Sequence, residues 1–372
     1  MTDEPSVEEA VEPSVEELQA GCTRFLGGHG PRSPAEVLAE VRDELGDVAG
    51  DRYGEGGVVA ELEAEVRVLL GKPAAVFMPS GTMAQQIALR VHAERTGRTV
   101  VLWHPTSHLE LHEDQAAARL HGLLPRPVGD PRRLITAEDL EAVAEYAAVL
   151  LLELPQREIG GQLPAWDELV AQTELARSHG TAVHLDGARL LECLPHYGRT
   201  AAEVAGLFDS VYLSLYKGLG GIAGCVLAGE QQLVAEAREW RHRHGGTLFG
   251  MWPYAAAGLT GLRRRAPLMA RYVEHAQAVA AELSPVEHLT VVPDPPVTTM
   301  MHLYLEAPAD ALTAAMRAHA AEAKVWSWSR CFPTDLPGWQ AVELTVGDAT
   351  LEWSPEEIRD LVAGLLERSR AA

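Results

Sequence analysis

Lysine is almost missing from this chain. Its 372 residues contain three lysines, Lys72, Lys217 and Lys324, against 28 arginines. Wherever a surface cation is needed, arginine supplies it. Arginine cannot replace a lysine whose amine must lose its proton and attack a carbonyl. Cysteine is scarce too: Cys22, Cys193, Cys225 and Cys331 lie far apart with no C-x-x-C pair, which reads as reduced thiols rather than a disulfide framework. No run of about 18 apolar residues predicts a membrane span. The acidic N-terminus shows no basic segment followed by an apolar one, so the expectation is a cytoplasmic protein without a secretory signal. A net charge of −22 offers no basic stripe for nucleic acid. Metal-ligand spacing is missing as well, since His242-Arg243-His244 reads as a surface cluster at a predicted helix end.

What is present is a large apolar fraction, 47%, enough for a sizeable core and two domains. Residues 1–19 carry EPSVEE twice and are expected to be a disordered acidic extension. Residues 20–52 are expected to join a small domain, 53–265 to form a large domain, and 266–372 a small C-terminal α+β domain. Ser33-Pro34-Ala35-Glu36 and Ser354-Pro355-Glu356-Glu357 are helix-start signals. Short apolar runs at 74–78, 99–103, 147–153, 181–186, 210–215 and 222–228 predict strands. Helical patterns at 57–70, 82–96, 136–147, 165–179 and 230–243 alternate with them. That alternation predicts an α/β fold with a mostly parallel sheet covered on both faces.

Four of the predicted strand ends carry chemistry. After 74–78 comes Ser80-Gly81-Thr82 and a helix, an N-terminus suited to a phosphate. After 181–186 comes His184-Leu185-Asp186-Gly187-Ala188-Arg189, a carboxylate at the edge where open α/β sheets bind ligands. His108 follows the strand 99–103 and offers an aromatic face. Lys217 ends the run Leu213-Ser214-Leu215-Tyr216-Lys217-Gly218-Leu219-Gly220-Gly221. A phosphate nest, a stacking ring, an acid for a ring nitrogen and an isolated lysine together call for pyridoxal 5′-phosphate, with Lys217 as the Schiff-base residue.

FMPSGTMAQQIAL, HLDGARL and LSLYKGLGG, in this order, resemble the low-specificity threonine aldolase and β-eliminating lyase family. Arg52-Tyr53-Gly54-Glu55 and the HLELHE stretch at 108–113 add to the likeness, which is strong over about residues 50–265. The resemblance implies the aspartate aminotransferase fold (fold type I) and a homodimer or homotetramer with shared active sites. It implies that Lys217, His108, Asp186 and Arg189 are catalytic, and that Ser80, Gly81 and Thr82 bind the cofactor with them. It also implies retro-aldol cleavage of a β-hydroxy amino acid through a Cα carbanion. β-Elimination, other chemistry on a modified or bulkier amino acid, and a cofactor-binding protein with little catalysis remain open.

Two family contacts to the substrate carboxylate are absent. The N-terminal serine is replaced within Phe25-Leu26-Gly27-Gly28-His29-Gly30, and the C-terminal arginine within Val342-Glu343-Leu344-Thr345-Val346. Tyr216 stands where a serine precedes the lysine, and Leu154-Pro155-Gln156 replaces Asn-Thr-His. Arg330, Arg157 and His29 are the candidate replacements at the carboxylate, with Arg330 favoured because it lies in the small domain. Trp326, Trp328 and Trp339 suggest a bulkier substrate than threonine, with weak cleavage of threonine itself.

Overall fold

The structure, a computed structural model, describes residues 13–371. The first acidic repeat lies outside these residues. The second half of the second repeat, expected to be disordered, opens helix α1 (Val15–Ala20). Its start is a reciprocal cap. Glu17 N–H donates to Ser14 Oγ at 3.1 Å, and Ser14 N–H donates to Glu17 Oε2 at 2.8 Å. Val15 and Leu18 then pack beside Cys22, Ala320 and Trp326, which gives the short helix something to bury. The chain continues as a two-residue ladder, Arg24–Phe25, parallel to residues 325–326. Helix α2 (Pro34–Leu45) carries the expected Ser33 cap, and α3 (Gly57–Leu69) buries Val58, Val59, Leu62 and Val66.

The main sheet has seven strands: β1 (Ala74–Met78), β2 (Val100–Trp103), β3 (Leu124–Pro127), β4 (Val149–Glu153), β5 (Ala182–Gly187), β6 (Ser210–Ser214) and β7 (Cys225–Gly229). Their spatial order is β1-β7-β6-β5-β4-β2-β3, and only β7 runs antiparallel to its neighbours. Every residue of β1, β6 and β7 is buried, which explains the unbroken apolar sequence of β1 and the apolar centre of β6. The edge strand β3, Leu-Pro-Arg-Pro, has no such signal; proline is tolerated there because one side of an edge needs no partner. The helix expected over 136–147 stops at Glu141, because the apolar run from Ala147 enters β4. Helix α4 (Gly81–Thr96) covers one face of the sheet.

A second sheet contains β8 (Leu289–Val292), β9 (Met300–Glu306) and β10 (Trp339–Thr345), all antiparallel, with residues 332–333 at its edge. Alternation along β9 and β10 places Met301, Leu303, Val342 and Leu344 in the core. Register pairs His302 with Glu343. No helix among the described residues is long and apolar enough to cross a membrane, and none of their His, Cys, Asp and Glu side chains cluster as a metal site.

Candidate active site

One pocket of about 420 Å³ lies at the C-terminal edge of the main sheet, bounded by the chain leaving β1, β2, β4, β5 and β6. At its first end, Ser80 caps α4 in an extended conformation. The N–H groups of Gly81 and Thr82 enter none of the described hydrogen bonds, so this helix end presents free donors. A Cβ on residue 81 would lie 2.5 Å from Tyr212 Oη, so only glycine admits the phenol here. Glu113 closes this end. Its Oε2 accepts from Gln86 Nε2 at 2.6 Å, while Oε1 is buried without a partner. Burial pushes the Glu113 carboxyl up to about 7. Free helix N–H groups, a phenol and an unpartnered buried carboxyl fit a phosphate group.

Asp186 is 2% exposed at the end of β5, beside Glu153 on β4 and Tyr212 on β6 in direct register. Its Oδ1 accepts from Ala188 N–H at 3.0 Å. Behind it runs a buried polar chain. His92 Nε2 lies 2.7 Å and His184 Nδ1 2.6 Å from Ser210 Oγ, and His184 Nε2 lies 2.7 Å from Gln85 Oε1. Burial keeps both imidazoles neutral, lowering His92 to about 4 and His184 to about 3. Burial also raises Asp186 and Glu153, and the charge on Asp186 raises Glu153 further. Contact with Ala188 N–H and the nearby Lys217 and Arg189 charges favour placing the pair's single negative charge on Asp186.

Glu153 was not a candidate from sequence. Its oxygens accept the backbone N–H groups of His108 and Arg157, each at 3.2 Å, and so tie both residues to the end of β4. His108 faces the same pocket as a neutral ring, lowered to about 4 by burial and by the Lys217 charge. Tyr212 and Glu113 were not assigned roles from sequence either. Tyr212 could have been found by alternation, since Val211, Leu213 and Leu215 face one core and Tyr212 the opposite one.

Lys217 enters the pocket from the loop after β6, its Nζ 5.3 Å from the Tyr216 ring centroid. Burial and the charges of Arg189 and Arg157 lower its pKa, opposed by Asp186 and Glu343. The other lysines lie elsewhere: Lys72 Nζ donates to Phe208 O, and Lys324 ends a helix in the left-handed region at φ 57°. The Lys217 loop is held from outside. His29 Nε2 donates to Gly218 O at 2.9 Å, Arg265 Nη1 donates to Leu219 O at 3.4 Å, and Arg32 donates to Gly220 O.

The candidate carboxylate partners separate. Arg189 is deeply buried at the pocket, and its guanidinium enters none of the described hydrogen bonds; Glu192 and Glu343 lie 4.0 and 3.9 Å away. Arg157 also lines the pocket, paired to Glu343 at 2.8 Å and Glu158 at 2.7 Å. His29 and Arg330 do not line it. His29 uses its second nitrogen to accept Asp348 N–H at 3.2 Å, and exposed Arg330 stacks on Phe332 at 4.5 Å.

The beta-eliminating lyase family profile matches residues 37–307. The low specificity L-threonine aldolase of Escherichia coli is 31% identical over 257 residues, which are 68% of this chain and 75% of that protein. A Listeria monocytogenes structure assigned as an L-allo-threonine aldolase is 40% identical, with a TM-score of 0.89, covering 95% of this chain and 99% of that one. An Exiguobacterium structure assigned as an aromatic amino acid beta-eliminating lyase/threonine aldolase is 38% identical, with a TM-score of 0.88 and the same coverage of 95% and 99%. With the profile spanning most of the sequence and both superpositions nearly all of it, the chain belongs to the beta-eliminating lyase family and is a lyase with the threonine aldolase fold.

Proposed function

We propose that the protein cleaves the Cα–Cβ bond of a β-hydroxy-α-amino acid, releasing glycine and an aldehyde, with pyridoxal 5′-phosphate as cofactor. The observation that carries this reading is the position of Lys217: of three lysines it alone lines the pocket shared by Asp186, Arg189 and the start of α4. Gly81 and Thr82 N–H groups, with Tyr212, would hold the phosphate, and Glu113, raised to about 7 by burial, could donate to it in its protonated form. Asp186 would pair with the ring nitrogen, His108 would cover the ring face, and Lys217 would take the aldehyde. When bound, the cofactor supplies an electron-poor ring that accepts the electron pair left at Cα.

The protein's own groups do the rest. A lowered pKa leaves more of Lys217 Nζ neutral, able to accept a proton or attack a carbonyl. In protonated form the same amine returns one proton to Cα to complete glycine. Arg189, with Glu192 and Glu343 at 4.0 and 3.9 Å but in none of the described hydrogen bonds, takes the substrate carboxylate, with Arg157 beside it. Glu153 holds the backbone of His108 and Arg157 in place. The exposed apolar surface at Tyr53, Phe249 and Trp252 supports assembly as a homo-oligomer.

A screen of cofactor-loaded protein against threonine, allo-threonine and β-phenylserine tests the reaction. Glycine and aldehyde in equal amounts are expected. A 2-oxo acid and ammonia without glycine would replace aldol cleavage by β-elimination.

A further inference from the structure

Three consecutive carbonyls follow Lys217, and each is taken by a side chain from outside its loop. His29 Nε2 donates to Gly218 O at 2.9 Å, Arg265 Nη1 to Leu219 O at 3.4 Å, and Arg32 Nη2 to Gly220 O. His29 and Arg32 precede α2, while Arg265 is buried at the end of the helix Trp252–Arg265. Two carboxylates lock these donors together. Glu40 on α2 accepts from Arg32 Nη1 at 2.7 Å and from Arg265 Nη2 at 3.0 Å. Asp348, just beyond β10, accepts from Arg265 Nε at 2.9 Å and from the Tyr272 hydroxyl. His29 Nδ1 faces the same residue, accepting Asp348 N–H at 3.2 Å with Oδ2 3.3 Å away. Neutral or protonated, His29 therefore keeps its Nε2 hydrogen for Gly218.

The loop is shaped to receive this clasp. Gly220 N–H donates to Lys217 O at 3.0 Å and Gly221 N–H to Leu215 O at 2.8 Å, which folds the loop on itself. At residue 220 φ is +65°, and a Cβ there would lie 2.9 Å from Arg32 Nη2 and 3.1 Å from His29 Cδ2, so glycine lets both donors close. Lysine carries its amine on a flexible four-carbon stem. Fixing the main chain at its root narrows the space that amine can sweep, and neither His29 nor Arg32 lines the reacting pocket.

We propose that His29 and Arg32 are positioning residues for Lys217: by gripping the carbonyls of Gly218 and Gly220 from outside, they set where the amine stands when it returns a proton to Cα. This rests on the reading of Lys217 above and adds to that site two residues that act on it through the main chain.

Two rates read the amine directly. One is uptake of pyridoxal 5′-phosphate by the apo protein, fixed on Lys217 by borohydride at timed intervals. The other is exchange of a glycine α-hydrogen for deuterium by the loaded protein. His29→Leu and Arg32→Leu should each slow glycine exchange by roughly tenfold or more, as expected when a reacting group is displaced by a fraction of an ångström, with calorimetric glycine affinity within about twofold of the parent. Uptake should slow severalfold in the same variants. His29→Gln, which keeps an N–H for Gly218 O, should regain most of both rates. Exchange and uptake unchanged in both leucine variants would overturn the assignment. So would a loss of glycine affinity that matches the loss of exchange, because the two residues would then act on substrate binding. Should a leucine variant fail to fold, ¹⁵N NMR of the histidine-labelled parent decides, since a His29 Nε2 without hydrogen overturns the proposal. If the parent exchanges no glycine hydrogen, the Cα-carbanion reading falls, and the uptake rates still decide whether His29 and Arg32 place the amine.

Discussion

The two ends of the pocket are built differently. At the cofactor end, side chains sit on the last residues of rigid parallel strands, one strand beside the next, with a buried polar chain behind Asp186. At the substrate end, the groups come from a loop after β4 and from β10 of the other sheet, and they meet as an ion-pair network around Arg157. The first arrangement fixes atoms to within a hydrogen bond and tolerates little change. The second can exchange partners while the fold persists, so specificity can be rebuilt there without disturbing the chemistry.

The contrast predicts an ordered set of losses. Lys217→Ala should lower turnover by roughly a thousandfold or more, because no other amine reaches the pocket; Lys324→Ala should leave the rate unchanged. Equal losses in the two variants would remove the cofactor end as the reacting centre. Asp186→Ala should cost roughly 10²–10³ in kcat, as for other groups that stabilise developing charge, with part regained in Asp186→Glu. A rate within about twofold of the parent would reduce Asp186 to a turn residue.

At the substrate end the signature changes from kcat to KM. Arg157→Ala should raise KM by roughly 10- to 150-fold, the worth of one charge-assisted hydrogen bond, with a smaller change in kcat. Arg330→Ala, which alters an exposed cation stacked on Phe332, should stay within about twofold. If Arg330→Ala instead carries the KM effect, the substrate enters along the outer cavity and the comparison between the two ends must be redrawn.

A separate prediction, read in stability and not in rate, concerns the groups behind Asp186. His92 and His184 are lowered in the folded protein to about 4 and about 3 from an ordinary 6.5. Below pH 6.5 the unfolded chain therefore binds more protons than the folded one. The contribution of these two rings to stability should fall from pH 6.5 toward pH 4, with a slope of at most about 1.4 kcal/mol per pH unit for each, while the raised carboxyls of Glu113, Glu153 and Asp186 contribute the opposite slope. Ser210→Ala removes the hydroxyl both rings share and should cost about 1–3 kcal/mol, read as a lower melting temperature at pH 8. A His184→Gln variant that keeps the parent's pH dependence of melting temperature between pH 4 and 6.5 would show that the imidazole is not buried neutral.

The same division explains what the sequence made legible. Strand ends at Ser80, His108, Asp186 and Lys217 stood out because apolar runs stop abruptly there, and Lys217 because lysine is so rare. Glu153 closes the run 147–153 as Asp186 closes 181–186, but no motif gave it a role; only strand register sets it beside Asp186. Glu113 was visible in HLELHE, but its missing partner is a property of packing against α4. Glu343 was evident as a departure, whereas its pairing with Arg157 joins two sheets far apart in the chain. Arg330 was favoured for its place in the small domain, and neighbourhood along the chain did not bring it into the reacting pocket. The acidic repeat read as disordered by composition, yet Ser14 and Glu17 form a reciprocal cap that starts α1.

The most direct test of the reacting centre is borohydride reduction of the protein loaded with pyridoxal 5′-phosphate, followed by peptide mass spectrometry. A single reduced adduct on the peptide carrying Lys217 is the expected result. An adduct on Lys72 or Lys324, with Lys217 unmodified, would contradict the assignment of Lys217 as the reactive amine.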